Sequence, residues 1–402
     1  MTVAVAAARG GPGVLFIVNS LETGGAEKQV VTVLNHLDAR RFRLHLAYLK
    51  RNEKLLAQLR RERLAGLLCC DVARRVDGRA IRQLRDLIDT AGIDVIVCTN
   101  PYSTLYGQLA RRGSAVRPKL MAAFHTTLPR GIKERLEMVL YRRVFNRSEL
   151  LAYVCENQRS YWRRKGIRPP ADAVIYNGID ADYYADRRSE AERLAFRRSL
   201  GLSGQDYLVG LCSVFRPEKA HGDLLQAIAK LRSGGVPARA LLIGDGPERR
   251  NIEDLIRRLG LEEHVLITGL REDVRPFIGA CDVMTLVSHS VVSFSLAALE
   301  SMSLGKPMVM SDVGGARELV VDGEHGFLFA PGDTDALAMH LGNLTHQPLR
   351  ERLGRAAADR VRERFTAGTM SERFADCIAG LLNERAQPLP ADDEHARPHR
   401  IA

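Results

Sequence analysis

Residues 274–314 read VRPFIGACDVMTLVSHSVVSFSLAALESMSLGKPMVMSDVG, and the pattern predicts a strand, a loop, a helix and a second strand in succession. The apolar runs at 283–288 and 307–312 have strand length, and the stretch between them is rich in small and apolar residues. One carboxylate, Glu300, sits on that helix. Such a group is either solvated or kept for a ligand, and two flanking core strands make solvation the poorer explanation.

Working outward, the same alternation of short apolar runs and amphipathic stretches continues on both sides. Upstream and downstream lie YLVGLCSV (207–214), ARALLIGDG (238–246), HVLITGL (264–270) and HGFLFAPG (325–332). An earlier series comprises VLFIVNS (14–20), LHLAYLK (44–50), GLLCCDV (66–72), VIVCTN (95–100), KLMAAFHTT (119–127), LLAYVCE (150–156) and AVIYNGID (173–180). Strands separated by helical stretches imply βαβ units and parallel sheets. Because the pattern restarts after a polar segment, we expect an α/β protein of two doubly wound, Rossmann-like domains facing a cleft. The first spans 1–180, a linker 181–206, and the second 207–370. A C-terminal helix at 371–386 is expected to pack back on the first domain. The Pro-rich, charged remainder, 387–402, is expected to be a disordered tail.

Composition narrows the class. At 402 residues with 46% hydrophobic content, two soluble domains fit better than one. No apolar run approaches the roughly 20 residues of a membrane span, and the N-terminus lacks the basic start of a secretory signal. Seven scattered cysteines offer neither zinc spacing nor a disulfide framework, which suits a reducing cytosol. Charge is divided unevenly: residues 1–180 hold 31 Lys and Arg against 16 Asp and Glu, while the rest of the chain is slightly acidic. The basic residues gather at Lys50–Arg63, Arg130–Arg147 and Arg159–Arg168, a field that attracts phosphate-rich partners such as anionic lipid. Aromatic residues do not interleave these runs beyond Tyr161-Trp162, so nucleic acid is not an expected partner.

Ligands of doubly wound domains bind at the carboxyl ends of the strands, and several residues stand there. Gly24-Gly25 follows the first strand and precedes a helix, where close backbone approach lets N–H groups meet an anion; a plain tight turn explains the pair equally well. His125 ends a strand, and is either a buried or capping histidine or a group at the cleft mouth. Arg216 and Lys219 follow the first strand of the second half, and two cations there suit a diphosphate. Ile243-Gly244-Asp245-Gly246-Pro247 opens like a dinucleotide fingerprint but lacks its third glycine. The triplets Asp180-Ala181-Asp182 and Asp333-Thr334-Asp335 read as a turn and a helix cap, so no metal is expected.

With these residues in place, residues 14–332 resemble the family-four retaining glycosyltransferases of the GT-B fold. The matching pieces, in order, are Gly24-Gly25-Ala26-Glu27, His125, Asn177-Gly178-Ile179-Asp180 and Phe215-Arg216-Pro217-Glu218-Lys219. Gly244-Asp245-Gly246-Pro247, Leu299-Glu300-Ser301-Met302, Gly305-Lys306-Pro307 and Gly314-Gly315 complete the series. The resemblance implies that domain two binds a nucleotide sugar and domain one the acceptor. Glu300 would accept the ribose hydroxyls, Arg216 and Lys219 would hold the diphosphate, and Gly24 and Gly25 would close on it. Backbone near Leu270 and Val274 would read the base, His125 would lie by the sugar, and Ser293, Phe294 and Ser295 complete the donor-binding set. His125, Arg216 and Lys219 are the expected catalytic groups.

The family carries a second glutamate eight positions before the one matching Glu300, and this chain has Val292 there. Valine accepts no hydrogen bond from a sugar hydroxyl. The expected activity is retaining, metal-independent transfer of a hexose-type sugar from a UDP- or GDP-sugar, with no further cofactor. The acceptor is a glycan or lipid-linked precursor of a cell-surface polysaccharide. The expected place is the cytoplasm, at the inner face of the membrane. The alternative that Val292 leaves open is a catalytically silent sugar-nucleotide-binding subunit.

Overall fold

The computed structural model describes residues 10–125, 132–290 and 293–383. Val292, Thr126-Thr127 and the tail expected at 387–402 lie outside the described residues. Seven strands form the first sheet: β1 (Gly13–Val18), β2 (Arg43–Tyr48), β3 (Leu64–Cys69), β4 (Ile93–Thr99), β5 (Lys119–Phe124), β6 (Leu150–Tyr153) and β7 (Ala171–Val174). Six form the second: β8 (Tyr207–Cys212), β9 (Ala238–Ile243), β10 (Val265–Ile267), β11 (Val283–Leu286), β12 (Met308–Ser311) and β13 (Gly326–Phe329). The orders are β3-β2-β1-β4-β5-β6-β7 and β10-β9-β8-β11-β12-β13, and the neighbours pair in parallel.

Both sheets are covered on two faces, which is why their strands read as continuous apolar runs rather than alternating ones. Every residue of β1, GVLFIV, is buried. On one face of the first sheet Phe16 and Val18 meet Val30, Leu34, Phe374 and Ile378; on the other Leu15 and Ile17 meet Leu84, Ile88 and Tyr106. In the second, Val209 and Leu211 pack with Leu224 and Ile228, while Leu208 and Met284 pack with Leu299 and Met302.

The sheets are joined twice. The segment expected as a linker at 181–206 carries the helix Glu190–Ser199, closed by a capping box between Ser189 and Glu192. It is bound to domain two, because Arg197 donates to the Ala280 carbonyl at 2.9 Å and to Asp282 at 3.2 Å. The chain returns after the helix Gln347–Arg364. Ile179 N donates to Phe365 O at 3.0 Å and Ala367 N to Ile179 O at 2.7 Å. The last helix then runs Ala367–Leu382 over the first sheet, with Phe374 against Phe16. It starts before 371 because the Thr366 hydroxyl accepts from Thr369 N at 3.0 Å and caps it. Gly178 sits where these strands of chain cross, and a Cβ there would strike the Thr366 carbonyl. Among the described residues no helix is long and apolar enough to cross a membrane.

In each sheet the winding direction reverses between two neighbours, β1 and β4 in the first and β8 and β11 in the second. A crevice opens at the carboxyl ends of such strands. The loops leaving β1, β5, β8 and β11 reach this side, and contacts between the two domains are made there.

Candidate donor site between the two domains

Glu300 lies on the helix Leu296–Ser303, whose N-terminus is capped by Ser295 accepting from Ala298 N at 3.2 Å. It is 5% exposed. Its Oε1 accepts from the Tyr184 hydroxyl at 2.9 Å and stands 3.7 Å from the Lys28 ammonium, which belongs to domain one. Burial pushes the Glu300 carboxyl above its usual range, opposed by the Lys28 charge and the Tyr184 hydrogen bond. Tyr184 in turn is pushed up by burial and by the Glu300 charge. Oε2 has no hydrogen-bond partner among the described residues, and so a ligand facing the cleft has an acceptor to meet.

Tyr183 and Tyr184 stand edge to face at 5.1 Å, and the Arg275 guanidinium lies 3.7 Å above the Tyr183 ring. Arg275 is fixed by Asp273 at 2.8 and 2.9 Å, which holds the carboxyl of Asp273 below its usual range. Val274, packed against the domain-two core, begins the helix Arg275–Ala280. Leu270 is 77% exposed, an apolar surface beside this group and next to Gly269, which takes φ +72° and pairs with Gly244.

The loop that carries Arg216 and Lys219 follows β8. Phe215 is fully buried and anchors it, while Arg216 and Lys219 are half-buried. Pro217–Lys219 form one helical turn, and Ala220 takes a left-handed φ of +40°. That conformation costs an L-residue on the order of 1 kcal/mol, and it directs the chain into the helix His221–Ser233, whose positive end adjoins the two cations. Close approach fixes Gly246, where a Cβ would lie 2.5 Å from the Phe215 carbonyl. Among the described residues no carboxylate pairs with Arg216. His221 lies 3.1 Å from the Ser213 hydroxyl, and burial lowers its pKa to about 4. His289 is held to Asp223 at 2.7 Å, and the Ser288 hydroxyl and His289 amide both donate to the Glu218 carbonyl. Sequence reasoning assigned nothing to this pairing of the β8 and β11 loops.

From domain one, Gly24 and Gly25 open the helix Gly25–His36. Gly24 has φ −117°, an extended conformation open to any residue, and a Cβ there would meet the Glu27 carboxylate, the movable end of a side chain. Its amide donates to the Glu22 carbonyl at 2.8 Å, which leaves the anion-facing role expected for this pair to the Gly25 end of the helix. A Cβ on Gly25 would stand 3.8 Å from Leu296 of domain two. His125 follows β5; its amide donates to Asn100 Oδ1 at 3.1 Å and its carbonyl accepts from the Ser293 hydroxyl at 3.2 Å. Nε2 is buried without a partner among the described residues, and burial lowers the imidazole pKa to about 4. The ring is therefore uncharged at neutral pH.

Ser293 and Phe294, expected in the donor-binding set with Ser295, make contacts between the domains. The Ser293 carbonyl accepts from Cys155 Sγ at 3.2 Å, and the Phe294 carbonyl from Asn177 Nδ2 at 2.7 Å. The Phe294 ring is 3% exposed and packs with Tyr176 at 5.0 Å and Phe365 at 5.1 Å. Its side chain is thus core, and the Ser295 hydroxyl is a helix cap; what these two residues offer a donor is backbone. Asn177 also accepts from Gln29. Glu318, which sequence reasoning missed, accepts from the amides of Glu156 and Asn157 at 2.7 and 2.8 Å and from Tyr176 at 3.0 Å. A domain-two carboxylate thereby caps a domain-one helix.

The two Asp-x-Asp triplets are local. Asp180 accepts from the amides of Asp182 and Tyr183 at 3.1 and 3.0 Å, and Asp333 caps the helix Thr334–Asn343. Of the basic clusters, Arg159 and Arg163 both pair with Asp172 at 2.8 Å, and Trp162 is buried against Phe124. Arg164, Lys165 and Arg168 of the same cluster are exposed. The helix Ile132–Phe145 differs: Val139 and Leu140 are exposed beside exposed Arg142 and Arg143.

Residues 192–360 match the family model described as glycosyl transferases group 1, and residues 23–183 that of glycosyltransferase family 4. The N-acetyl-alpha-D-glucosaminyl L-malate synthase of Bacillus anthracis is 33% identical over 220 residues, 54% of this chain and 56% of that one. The chain thus spans little more than half the length of this relative. The GDP-mannose-dependent alpha-(1-6)-phosphatidylinositol monomannoside mannosyltransferase of Mycolicibacterium smegmatis is 28% identical over 292 residues, 70% of this chain and 75% of that one. Among solved structures, Anabaena HepE in complex with UDP-glucose is similar with a TM-score of 0.80 at 23% identity, covering 92% of this chain and 99% of that chain. The two facing Rossmann-like domains are the GT-B fold.

Proposed function

The chain belongs to the group 1 glycosyltransferases, and from that membership we propose that it moves a hexose-type sugar from a UDP- or GDP-sugar to a glycan or lipid-linked acceptor of a cell-surface polysaccharide, with retention and without a metal. The observation that carries the donor assignment is Glu300: a buried carboxylate at the cleft, with one oxygen held by Tyr184 and the other without a partner among the described residues. Two ribose hydroxyls donating to it would form charge-assisted hydrogen bonds. HepE, whose structure holds UDP-glucose, supports a nucleotide sugar as the ligand class.

In this reading Arg216, Lys219 and the start of the helix His221–Ser233 receive the diphosphate, and the Gly25 end of the facing helix closes on it. Leu270 and the backbone at Val274 lie against the base. As the sugar–phosphate bond breaks, negative charge grows on the leaving diphosphate, where fixed cations and a helix end stabilise it without rearranging. The acceptor hydroxyl attacks on the face the diphosphate leaves, and a phosphate oxygen takes its proton. Retention by this route needs no carboxylate pair about 5 Å apart, unlike that of the glycosidases. An uncharged His125 offers a ring N–H or lone pair to a sugar hydroxyl and puts no competing cation beside the anomeric carbon.

A panel of UDP- and GDP-sugars read by mass spectrometry tests this. One donor should turn over, and Glu300→Ala should abolish turnover; an unaffected variant discards the ribose assignment. A silent donor-binding subunit is the second reading, favoured by Val292 in the sequence. Under it the panel shows binding without turnover, and Val292→Glu produces a large gain. The exposed Val139, Leu140, Arg142 and Arg143 suit shallow insertion beside anionic lipid at a cytoplasmic membrane face. Salt-sensitive co-sedimentation with anionic vesicles should follow, and its absence at low salt would remove this part.

A further inference from the structure

Lys28 comes from the opposite domain to the acid it meets. It lies near the start of the helix Gly25–His36, and its ammonium stands 3.7 Å from Glu300 Oε1 with the side chain 36% exposed. The start of this helix lies beside Leu296, one turn before Glu300, where even a Cβ on Gly25 would make only ordinary contact at 3.8 Å. Lys28 and the Tyr184 hydroxyl converge on the same carboxylate oxygen. Among the described residues no other cation lies within 4.0 Å of Glu300.

We propose that Lys28 is a positioning residue for the donor: paired across the cleft with Oε1, it keeps the Glu300 carboxylate charged and leaves Oε2 turned toward the ribose. This deepens the donor-binding role given to Glu300 and rests on it. The groups facing Glu300 are Lys28 from the domain-one helix, Tyr184 from the connecting segment and Cys212 from the end of β8. Of these, Lys28 alone brings a positive charge. A ribose diol presents two donors, and a protonated carboxyl, which is itself a donor, meets them poorly. Burial favours that protonated form, and the Lys28 charge is the largest effect opposing it. Because the cation and the acid belong to different domains, nucleotide binding is also coupled to the spacing of the domains: whatever draws Lys28 toward Glu300 favours the nucleotide, and the nucleotide favours that arrangement equally.

Calorimetric titration of the full chain with UDP and with GDP, from pH 6 to pH 8.5, separates the possibilities. In Lys28→Gln the pH at which affinity falls should rise, giving several-fold weaker binding at pH 6 and little change at pH 8.5; Lys28→Arg should restore the profile of the unaltered protein. Loss of affinity that is uniform across pH, or no loss at all, overturns the proposal. Glu300→Ala is run beside it: if that variant binds both nucleotides normally the ribose assignment itself fails, whereas weakened Glu300→Ala with an unmoved Lys28→Gln profile removes only the role of Lys28.

Discussion

Glu300→Gln should weaken nucleotide binding and stabilise the fold in the same protein. The carboxylate is 5% exposed on an apolar helix, and burial raises its pKa. A raised folded-state pKa means that its favourable contribution is complete below the unfolded value and is lost as pH rises through the folded one, so the native state carries the cost of a buried charge at pH 7–8. Glutamine keeps the volume and an oxygen that accepts from Tyr184, and removes the charge. Relief of a functional strain of this kind is worth about 1 kcal/mol, or about 2–4 °C in melting temperature for a domain of 150–250 residues. The counterweight is loss of the Lys28 pair at 3.7 Å; with Lys28 about one-third exposed, it is worth less than about 1 kcal/mol. On the binding side, replacing a charged acceptor costs about 1.5–3 kcal/mol, or about 10- to 150-fold in affinity. Calorimetric melts at pH 5, 6.5 and 8 and titration with UDP and GDP measure both. The stability gain should be largest at pH 8 and shrink toward pH 5. A variant that melts several degrees lower at pH 8 and binds nucleotide normally would show that Glu300 is a structural anchor, and would refute the reasoning.

Asn177→Ala should cost about 3 kcal/mol, because it leaves the buried Gln29 amide and the Phe294 carbonyl without partners; denaturant unfolding reads this, and a cost under about 1 kcal/mol would mean that water replaces the side chain. Gly315→Val should cost about 1–3 kcal/mol, since its Cβ meets the Ser293 carbonyl and lies 3.0 Å from Cys155 Sγ, whereas Gly380→Ala, with open space around its Cβ, should stabilise by up to about 1 kcal/mol. His45, His125 and His221 are each lowered to about 4 by burial. Their neutral forms stabilise the fold above pH 6.5, and that contribution should be lost as pH falls toward 4. Melts across that window check the loss, and the turnover profile between pH 6 and 9 should show no limb that His125→Gln removes.

The alternation of apolar runs with amphipathic stretches was enough to read two parallel-sheet domains, because strands covered on both faces are largely apolar and most are followed by a covering helix. It also located Gly24-Gly25, His125, Arg216 and Lys219 at carboxyl strand ends and Glu300 on the helix after one such strand, since the end of a run is visible in one dimension. What each side chain touches was not visible. Tyr184 and Glu300 are 116 residues apart, and Gln29 and Asn177 are 148 apart; no local pattern joins them. Phe294 reads as part of a site loop, yet its ring completes a cluster with Tyr176 from before the connecting segment and Phe365 from the end of domain two. Glu318 reads as an ordinary helical acid, and becomes a cap for a helix of the other domain. Local order follows from short-range periodicity and turn chemistry. The pairing of Lys28 with Glu300 follows from how two separately wound domains come to rest on one another, and only tertiary packing decides that.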